Sequence, residues 1–476
     1  MLLTVDIGTS FFKSAVWDYN GSRKAFASVP LSITLNDGLR YETDSSQWLA
    51  AFGRCCQILS SSVPLKSAEA IIISGNGPSL APVLDISQKS TEKDKYFIVH
   101  AAPVRLWLDR RAEEAAKQVS EITGSHIDAG FFLPKILDIQ KNEPELYEQT
   151  KFFLGCPEFL AYALTKEART VFPSKGFERW FWNDSLLEKL DLDMEKFPTF
   201  IRPSETFGTL VPYAACHYGL KPDIPVICGG PDFYAAILGA GVVKPGQACD
   251  RAGTSEGINT CIEKKVNDNR LMCYGHPVKP FWNLSGVVST TGKAVEWARD
   301  LLGLDSYEAF TALAKNAEAG AGGLTFLPYL AGERIQVRNP GTRGKLHNIS
   351  LTTRRCEFAR SVLEGIGFAI REIIAAMEKT DAVVDELRIA GAASASSVLN
   401  QIKADITGRP VQVLRQCEAE LSGLAIIGAC ALEKYSSFAE AAAELVHVEK
   451  TFLPNENNVS MYNDMFEKYQ QMKDNN

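Results

Sequence analysis

Short apolar runs separated by turn residues open the chain: Leu2 to Ile7, then Gly8-Thr9-Ser10, Phe12 to Trp17, Asn20-Gly21 and Lys24 to Val29. Runs of this length alternating with turn chemistry predict a three-stranded antiparallel meander. A helical segment around Gln47 to Leu59 follows, and a β-branched run, Ala70 to Ser74, enters Gly75-Asn76-Gly77-Pro78. Half a chain later the pattern returns. Ala248 to Ala252 leads into Gly253-Thr254-Ser255 and out through Gly257 to Ile262, so that the second G-T-S turn follows the first by 245 residues. Recurrence at half the chain length predicts two related domains, each offering a strand-turn-strand hairpin to a shared cleft. Three matching residues also recur by chance, and the local pattern leaves both readings open.

The second half continues with a helix over Thr290 to Leu302 and a Gly-rich run, Gly320 to Gly323, that enters an apolar strand, Leu324 to Leu327. Phe358, Val362, Ile366, Ile370, Ile373 and Met377 recur at three- and four-residue steps. That spacing predicts one long helix, Thr353 to Lys379, with a single buried stripe. Then come a strand at Glu386 to Ala390, a small-residue loop at Gly391 to Ser397, a helix at Val398 to Ile406 and a strand at Pro410 to Leu414. Strands mixed with helices make the fold α/β. No Pro/Ser-rich linker separates the halves, which places the boundary at the bend near Val243 to Gly246, giving domains 1–243 and 244–476.

Composition narrows the partners. A chain of 476 residues exceeds what one hydrophobic core usually supports, in keeping with two domains. A net charge of -7 argues against a nucleic-acid partner or an anionic membrane surface and fits a small diffusing substrate. The longest apolar-leaning stretch, Leu421 to Leu432, is about half the length that crosses a bilayer. The opening MLLTVDIGTS has no basic segment or long apolar core of the secretory kind. Eleven cysteines, an odd number without a C-x-x-C, suit reduced thiols and a cytoplasmic protein. The histidines, at 100, 126, 217, 276, 347 and 447, are isolated and have no metal-ligand spacing.

Several segments could carry chemistry. A phosphate-handling loop needs glycine where the chain turns sharply and converging N–H and hydroxyl donors, and both turns, Gly8-Thr9-Ser10 and Gly253-Thr254-Ser255, supply them. Asp6, two residues ahead of Gly8, would project towards the same point, where a carboxylate can hold the Mg2+ that accompanies ATP. The other reading is two ordinary hairpin turns with Asp6 as a turn-capping acid. The run Ile224 to Asp232 is an apolar strand ending in Gly229-Gly230-Pro231, with one carboxylate at its tip. Asp232 there is either a general base for a substrate hydroxyl or a cap for the next segment. Trp107-Leu108-Asp109-Arg110-Arg111 combines an aromatic plane with an acid and two guanidinium groups, a mixture that suits a polyol. Alternatively, Asp109 caps a helix beginning near Ala112. The Gly/Pro-kinked loop Ser74 to Ser79 is a second substrate contact or a plain connection. Neither G-x-x-x-x-G-K-[ST] nor a strand-to-helix G-x-G-x-x-G occurs, which argues against P-loop and dinucleotide sites.

Taken together and in order, these segments resemble the FGGY family of carbohydrate kinases over nearly the whole chain. VDIGTSFFKSAVWD resembles the family's first phosphate hairpin, RLWLDRR its W-x-D-x-R segment, GGPDF its G-G-x-D turn and AGTSEGIN its second phosphate hairpin. GLTFLPYLAGER with RGKLHNISLTTRRCEFARSVLEG is similar to the carboxy-terminal signature, and LRIAGAASASSVLNQIKADITGRPV to the adenosine-binding segment. The resemblance implies two ribonuclease H-like (actin-like ATPase) domains flanking a central cleft, the amino-terminal one binding sugar and the carboxy-terminal one nucleotide. It implies that Asp6 contacts Mg2+ and that Asp232 is the base. Gly8, Thr9, Ser10, Gly253, Thr254 and Ser255 would contact phosphates, and Gly391, Ala392, Ser394 and Asn400 the nucleotide. Asn76, Gly77, Trp107, Asp109, Arg111, Asp232 and Phe233 would contact the substrate.

Two departures stand out. Gly391 is followed by Ala392 and Ala393 where relatives carry consecutive glycines, and a positive φ at either would cost about 1 kcal/mol or more. Gly75-Asn76-Gly77-Pro78 replaces the Gln-Met-His of xylulose-type relatives. Length and overall pattern are nevertheless closest to the pentulose, xylulokinase-like branch. The expectation is therefore an ATP-dependent kinase of a small sugar or polyol, first a ketopentose such as xylulose, with a sugar and ATP as partners and room for a homodimer. The alternatives are a kinase for a hexulose, gluconate or glycerol, a non-catalytic sugar or nucleotide sensor, and an actin-like ATPase acting on protein.

Overall fold

A computed structural model of the chain describes residues 1–84, 100–332 and 342–474. They form two compact units, Met1–Gly239 with Glu420–Leu445, and Ala240–Ala419 with Val446–Asn476. In the first unit the expected meander forms as β1 (Leu2–Ile7), β2 (Phe11–Trp17) and β3 (Arg23–Pro30). It joins β4 (Ala70–Gly75), β5 (Thr206–Thr209) and β6 (Pro225–Pro231) in a six-stranded sheet of order β5-β6-β4-β1-β2-β3. β4 runs parallel to both β1 and β6, while β2, β3 and β5 are antiparallel to their neighbours. Every residue of β1 and β4 is buried, as expected of central strands covered on both faces. β3, at the edge, alternates between buried and exposed positions.

The second unit repeats this arrangement. β7 (Gly246–Ala252), β8 (Glu256–Ile262), β9 (Met272–Gly275), β10 (Trp282–Val288), β11 (Val384–Ala390), β12 (Val411–Leu414) and β13 (Val448–Phe452) order as β9-β10-β8-β7-β11-β12-β13. Three antiparallel strands (β10, β8, β7), two parallel ones (β11, β12) and an antiparallel edge (β13) match β3, β2, β1, β4, β6 and β5 in space. β9 is an addition. The sequence recurrence of the two G-T-S turns therefore belongs to a repeated topology. The long helix forms at Arg355–Glu378, with Val362, Ile366, Ile370, Ile373 and Met377 of the stripe in the core and Phe358 packed against it. The Gly391 to Ser397 loop contains a short 3-10 turn, Ala392–Ala395. Glu333 and Arg334 of the carboxy-terminal signature lie outside the described residues.

The division expected at 243/244 is contiguous, whereas in the compact units one segment of the second half groups with the first. Residues Glu420–Leu445 pack with the first unit because two glycines of the helix Ala419–Ala431 allow close approach. A Cβ at Gly423 would fall 1.8 Å from the Ala235 carbonyl oxygen, and one at Gly428 2.6 Å from Ile72 Cδ1. Between β4 and β5 the first unit also holds an insertion with its own apolar cluster, which includes Ile136, Leu137, Phe153, Trp180 and Trp182. None of the eleven cysteines is in a disulfide. No helix among the described residues is long and apolar enough to cross a membrane.

The closeness of Gly423 to the helix Asp232–Gly239 gives a direct test. Gly423→Ala is expected to lower the free energy of unfolding by about 2 kcal/mol or more, since backbone must move to admit a methyl. Urea denaturation at unchanged m-value reads this, and a loss below about 0.5 kcal/mol, within surface-substitution range, would mean the contact is not tight.

Candidate active site

The carboxyl ends of the parallel strands of the first unit bring several sequence candidates together, as open α/β sheets commonly do for a ligand. Asp6, next to last in β1, pairs in register with Ser74 of β4, whose Oγ donates to Asp6 Oδ1 at 3.0 Å. Pro231, at the end of β6, pairs with Gly75, and Asp232 follows as the first residue of the helix Asp232–Gly239. The two glycines before it are there for different reasons. A Cβ at Gly229 would lie 2.1 Å from Leu424 Cδ2 and 2.8 Å from the Ile73 carbonyl oxygen, so this is close packing. Gly230 turns the chain at φ 77°, where a side chain is strained. Asp232 Oδ1 accepts the N–H of Phe233 at 2.5 Å, and the carboxylate is partly exposed.

Asp6 is 6% exposed. Burial, then the neighbouring Glu420 and Asp232 carboxylates, push its carboxyl up to about 8, against the Ser74 hydrogen bond and Lys13. Glu420, in the first turn of Ala419–Ala431, is thus an acid of this site that the sequence reading missed. Its only signal was an acid standing directly before the apolar run from Leu421. Among the described residues no three His, Cys, Asp or Glu side chains form a ready-made metal shell. The Asp6, Glu420 and Asp232 carboxylates are near enough to repel one another.

The first G-T-S turn is tied to both proposed substrate segments. Gly8 N–H donates to Phe11 O at 3.0 Å, and Thr9 Oγ1 accepts Trp107 Nε1–H at 3.0 Å. The Trp107 N–H donates to Ser79 Oγ at 3.2 Å, and the Ser79 hydroxyl in turn donates to Asn76 Oδ1. Asn76 closes the path by donating from Nδ2 to Ile7 O at 2.9 Å. Ser10 is exposed at the tip of the turn, and Gly77 has open space around it. The side chain of Asn76 is thus committed to positioning the hairpin. Asp109 is similarly committed: it accepts the N–H of Tyr41 and pairs with Arg111, which also pairs with Glu42. It does not cap a helix, since Glu113–Thr123 starts without a side-chain cap. Lys135, also missed, is fully buried and donates to Pro78 O at 2.8 Å and Leu106 O at 2.7 Å, holding the loop and the Trp107 segment together. Burial pushes its ammonium well below the usual lysine range.

The second unit carries the other candidates. Gly253 N–H donates to Ser255 O at 3.1 Å. The Gly253 and Thr254 carbonyls accept the N–H groups of Gly292 and Lys293 at 3.1 and 3.3 Å, seating the turn on the start of the helix Gly292–Leu301. Below the turn, Lys403 lies buried between Asp250, at 2.7 Å, and Glu256. Burial opposes its charge, but the two acids outweigh it and push the lysine pKa up. Gly391 sits at φ 88°, and a Cβ there would lie 2.4 Å from the Ala252 carbonyl oxygen. Ser394 Oγ donates to Gly391 O, and Asn400 Nδ2 to Ser394 O, each at 2.7 Å. Asn400 Oδ1 is buried without a hydrogen-bond partner among the described residues. Neither Ala392 nor Ala393 has positive φ, so the backbone cost anticipated for alanine does not arise.

Residues 1–239 match the FGGY family of carbohydrate kinases, N-terminal domain, and residues 251–432 match its C-terminal domain. The chain belongs to this family. It is similar to the xylulose kinase of Escherichia coli (28% identity, 86% of this chain and 85% of that one). It is also similar to the gluconokinase of Bacillus subtilis (26% identity, 97% and 93%). In structure it resembles the ligand-bound xylulose kinase from Lactobacillus acidophilus, with TM-score 0.86, 21% identity, and coverage of 100% and 98%. The protein is a carbohydrate kinase with the actin-like ATPase fold, and kinases of this family use ATP.

Behind the site, Glu158 is fully buried, with Oε1 accepting the Val171 N–H at 3.0 Å and Oε2 without a partner among the described residues. Burial raises its pKa to about 7, against the Val171 and Glu158 backbone hydrogen bonds. A raised carboxyl favours the fold fully below its unfolded pKa, and that contribution is lost as pH rises through about 7. Relative to Glu158→Gln, which keeps the acceptor for Val171, the wild-type protein is expected to lose about 3 kcal/mol of unfolding free energy between pH 5 and pH 8. Parallel pH profiles from urea denaturation would contradict this.

Proposed function

We propose that the protein transfers the γ-phosphoryl group of ATP to a hydroxyl of a small sugar or polyol, a ketopentose such as xylulose first, with Asp232 as general base. The reading rests above all on Asp232 standing at the end of β6, near enough to the buried Asp6 to raise its pKa. The acceptor oxygen forms a bond to phosphorus as the bond from phosphorus to the β–γ bridging oxygen breaks, and ADP leaves. Asp232 takes the proton released by the hydroxyl, help that is typically worth about a hundred to ten thousand fold in rate. Most of the remaining barrier falls through positioning and charge neutralisation.

Asp6 and Glu420 would hold Mg2+ with the nucleotide, and the ion supplies charge neutralisation for the phosphates. The crowding of acids around buried Asp6 supports this, because a cation relieves it. Thr9, whose oxygen accepts from Trp107, keeps its own O–H to donate to a phosphate oxygen. The second G-T-S turn and the Gly391 to Asn400 segment take the nucleotide, and the Asn400 oxygen without a partner is an acceptor for it. Trp107 and Phe233 border the acceptor sugar. Asn76, Asp109 and Arg111 act through the shape of the site, since their polar groups are bound internally. The pentulose preference draws on the xylulose kinases among the relatives.

Asp232→Asn is expected to reduce acceptor-dependent ADP release by about a hundredfold or more, in line with loss of a general base, while sugar binding stays within a few fold. Coupled assays over pentuloses, hexuloses, gluconate and glycerol, with calorimetry for binding, measure both. Turnover unchanged in Asp232→Asn would remove the base, and sugar binding without turnover of any acceptor by the wild-type protein would favour a sensor.

A further inference from the structure

Residues 172–182 read Phe-Pro-Ser-Lys-Gly-Phe-Glu-Arg-Trp-Phe-Trp, five aromatics in eleven positions, and lie in the insertion of the first unit, outside every segment so far assigned to the site. One of them reaches the catalytic turn. Phe177 stacks on Phe233, the residue after Asp232, with ring centroids 5.8 Å apart and planes inclined by 15°. Behind it, Phe177 meets Trp180 at 5.1 Å, and Trp180 stacks on Phe131 at 5.5 Å and 6°. Phe131 follows Gly130, where a Cβ would lie 2.8 Å from the Trp107 carbonyl oxygen, so the aromatic run ends against the other proposed sugar segment. Trp180 is buried in the cluster of the insertion and serves as backing. Phe131, Phe177 and Phe233 stay partly exposed.

Resting on the reading of Asp232 as the base, we infer that the Phe177–Phe233 stack is the wall that selects the acceptor, and that Phe177 is a specificity-determining residue. Sugars and polyols carry hydroxyls on their edges and a face of C–H groups, and such a face packs on an aromatic ring while the hydroxyl edge stays free to react. The wall adds an apolar contact to the polar groups of Asn76, Asp109 and Arg111, which also make bonds within the protein. The wall requires an acceptor with an uncharged, continuous C–H face over the carbons next to the reacting hydroxyl. A pentulose or hexulose chain offers one, and glycerol, with three carbons, covers less of it. Arg179, held over the Trp180 ring at 4.1 Å, braces the backing ring.

The test separates this inference from the reading beneath it. Steady-state kinetics of the full chain are compared for wild type, Phe177→Ala, Phe177→Tyr and Asp232→Asn with xylulose, fructose and glycerol as acceptors. Sugar binding is followed in parallel by tryptophan fluorescence. Phe177→Ala is expected to raise KM for the preferred ketose about tenfold, in the range for losing apolar contact in a specificity pocket, with kcat and the KM for ATP changed less than about threefold. Its preference for the ketose over glycerol falls by a similar factor, and Phe177→Tyr restores the wild-type KM. An unchanged ketose KM and selectivity in Phe177→Ala overturns the inference. So does a joint loss of kcat, ATP affinity and melting temperature, which would make Phe177 a folding residue. If Asp232→Asn keeps full turnover, or wild type phosphorylates none of the three, the base assignment falls first and the inference with it.

Discussion

Crowding of like charges at the ends of the parallel strands is the constraint on which the rest of the first unit depends. A carboxyl as buried as Asp6 is costly to ionise, and Glu420 and Asp232 nearby add to the cost. The acids cannot relax apart, because the chain behind them is packed backbone to backbone. Gly423 lies against Ala235 of the helix that Asp232 begins, and Gly229 against Leu424 and Ile73. The fold thus holds a deficit of positive charge at one place. Under the reading proposed above, a magnesium ion held by these acids would supply that charge.

The two units use one topology for opposite electrostatics. In the first, the acids at the hairpin and the strand ends face one another, with Lys13 the only cation among the main influences on Asp6. In the second, Lys403 enters from the helix Ser397–Thr407 and pairs with both Asp250 and Glu256 on either side of the turn, its one charge balancing one of the two acids, while burial and the neighbouring Glu256 push the Asp250 carboxyl well above the usual range. A buried ion pair of this kind adds little net stability but fixes geometry, because every alternative leaves a charge stranded. The second turn stands over this pair, whereas the first hairpin is shaped by the neutral path from Thr9 through Trp107, Ser79 and Asn76.

Much of the fold was legible in the chain itself. The meander from Leu2 to Val29, the second hairpin around Gly253 and the stripe from Phe358 to Met377 all appear within a residue or two of where the apolar pattern put them. Each is a local signal, since side chains alternate with period two on a strand and recur every three or four residues on a helix. Candidate residues next to a sharp turn were legible for the same reason: a turn has a sequence signature, and Gly229-Gly230 advertises one before Asp232. The contiguous division at 243/244 differs from the compact units at Glu420–Leu445, because a helix carries no mark of which sheet it will cover.

Glu420, Lys135, Lys403 and Phe177 acquire their roles only through neighbours that are far off in the chain. Glu420 is remote from Asp6 in sequence, Lys135 from Pro78, Lys403 from Asp250 and Phe177 from Phe233. The bonds that Asn76, Asp109 and Arg111 make within the chain were hidden for a similar reason, since composition cannot say which group of its own chain a donor will meet. By itself the sequence determined the strands, the turns and the kinds of group available at them, because backbone geometry and hydrophobic periodicity are set by near neighbours. Which charges would face each other, which would be paired and which rings would stack was decided by the tertiary structure alone, because burial and Coulomb interaction depend on distance in space.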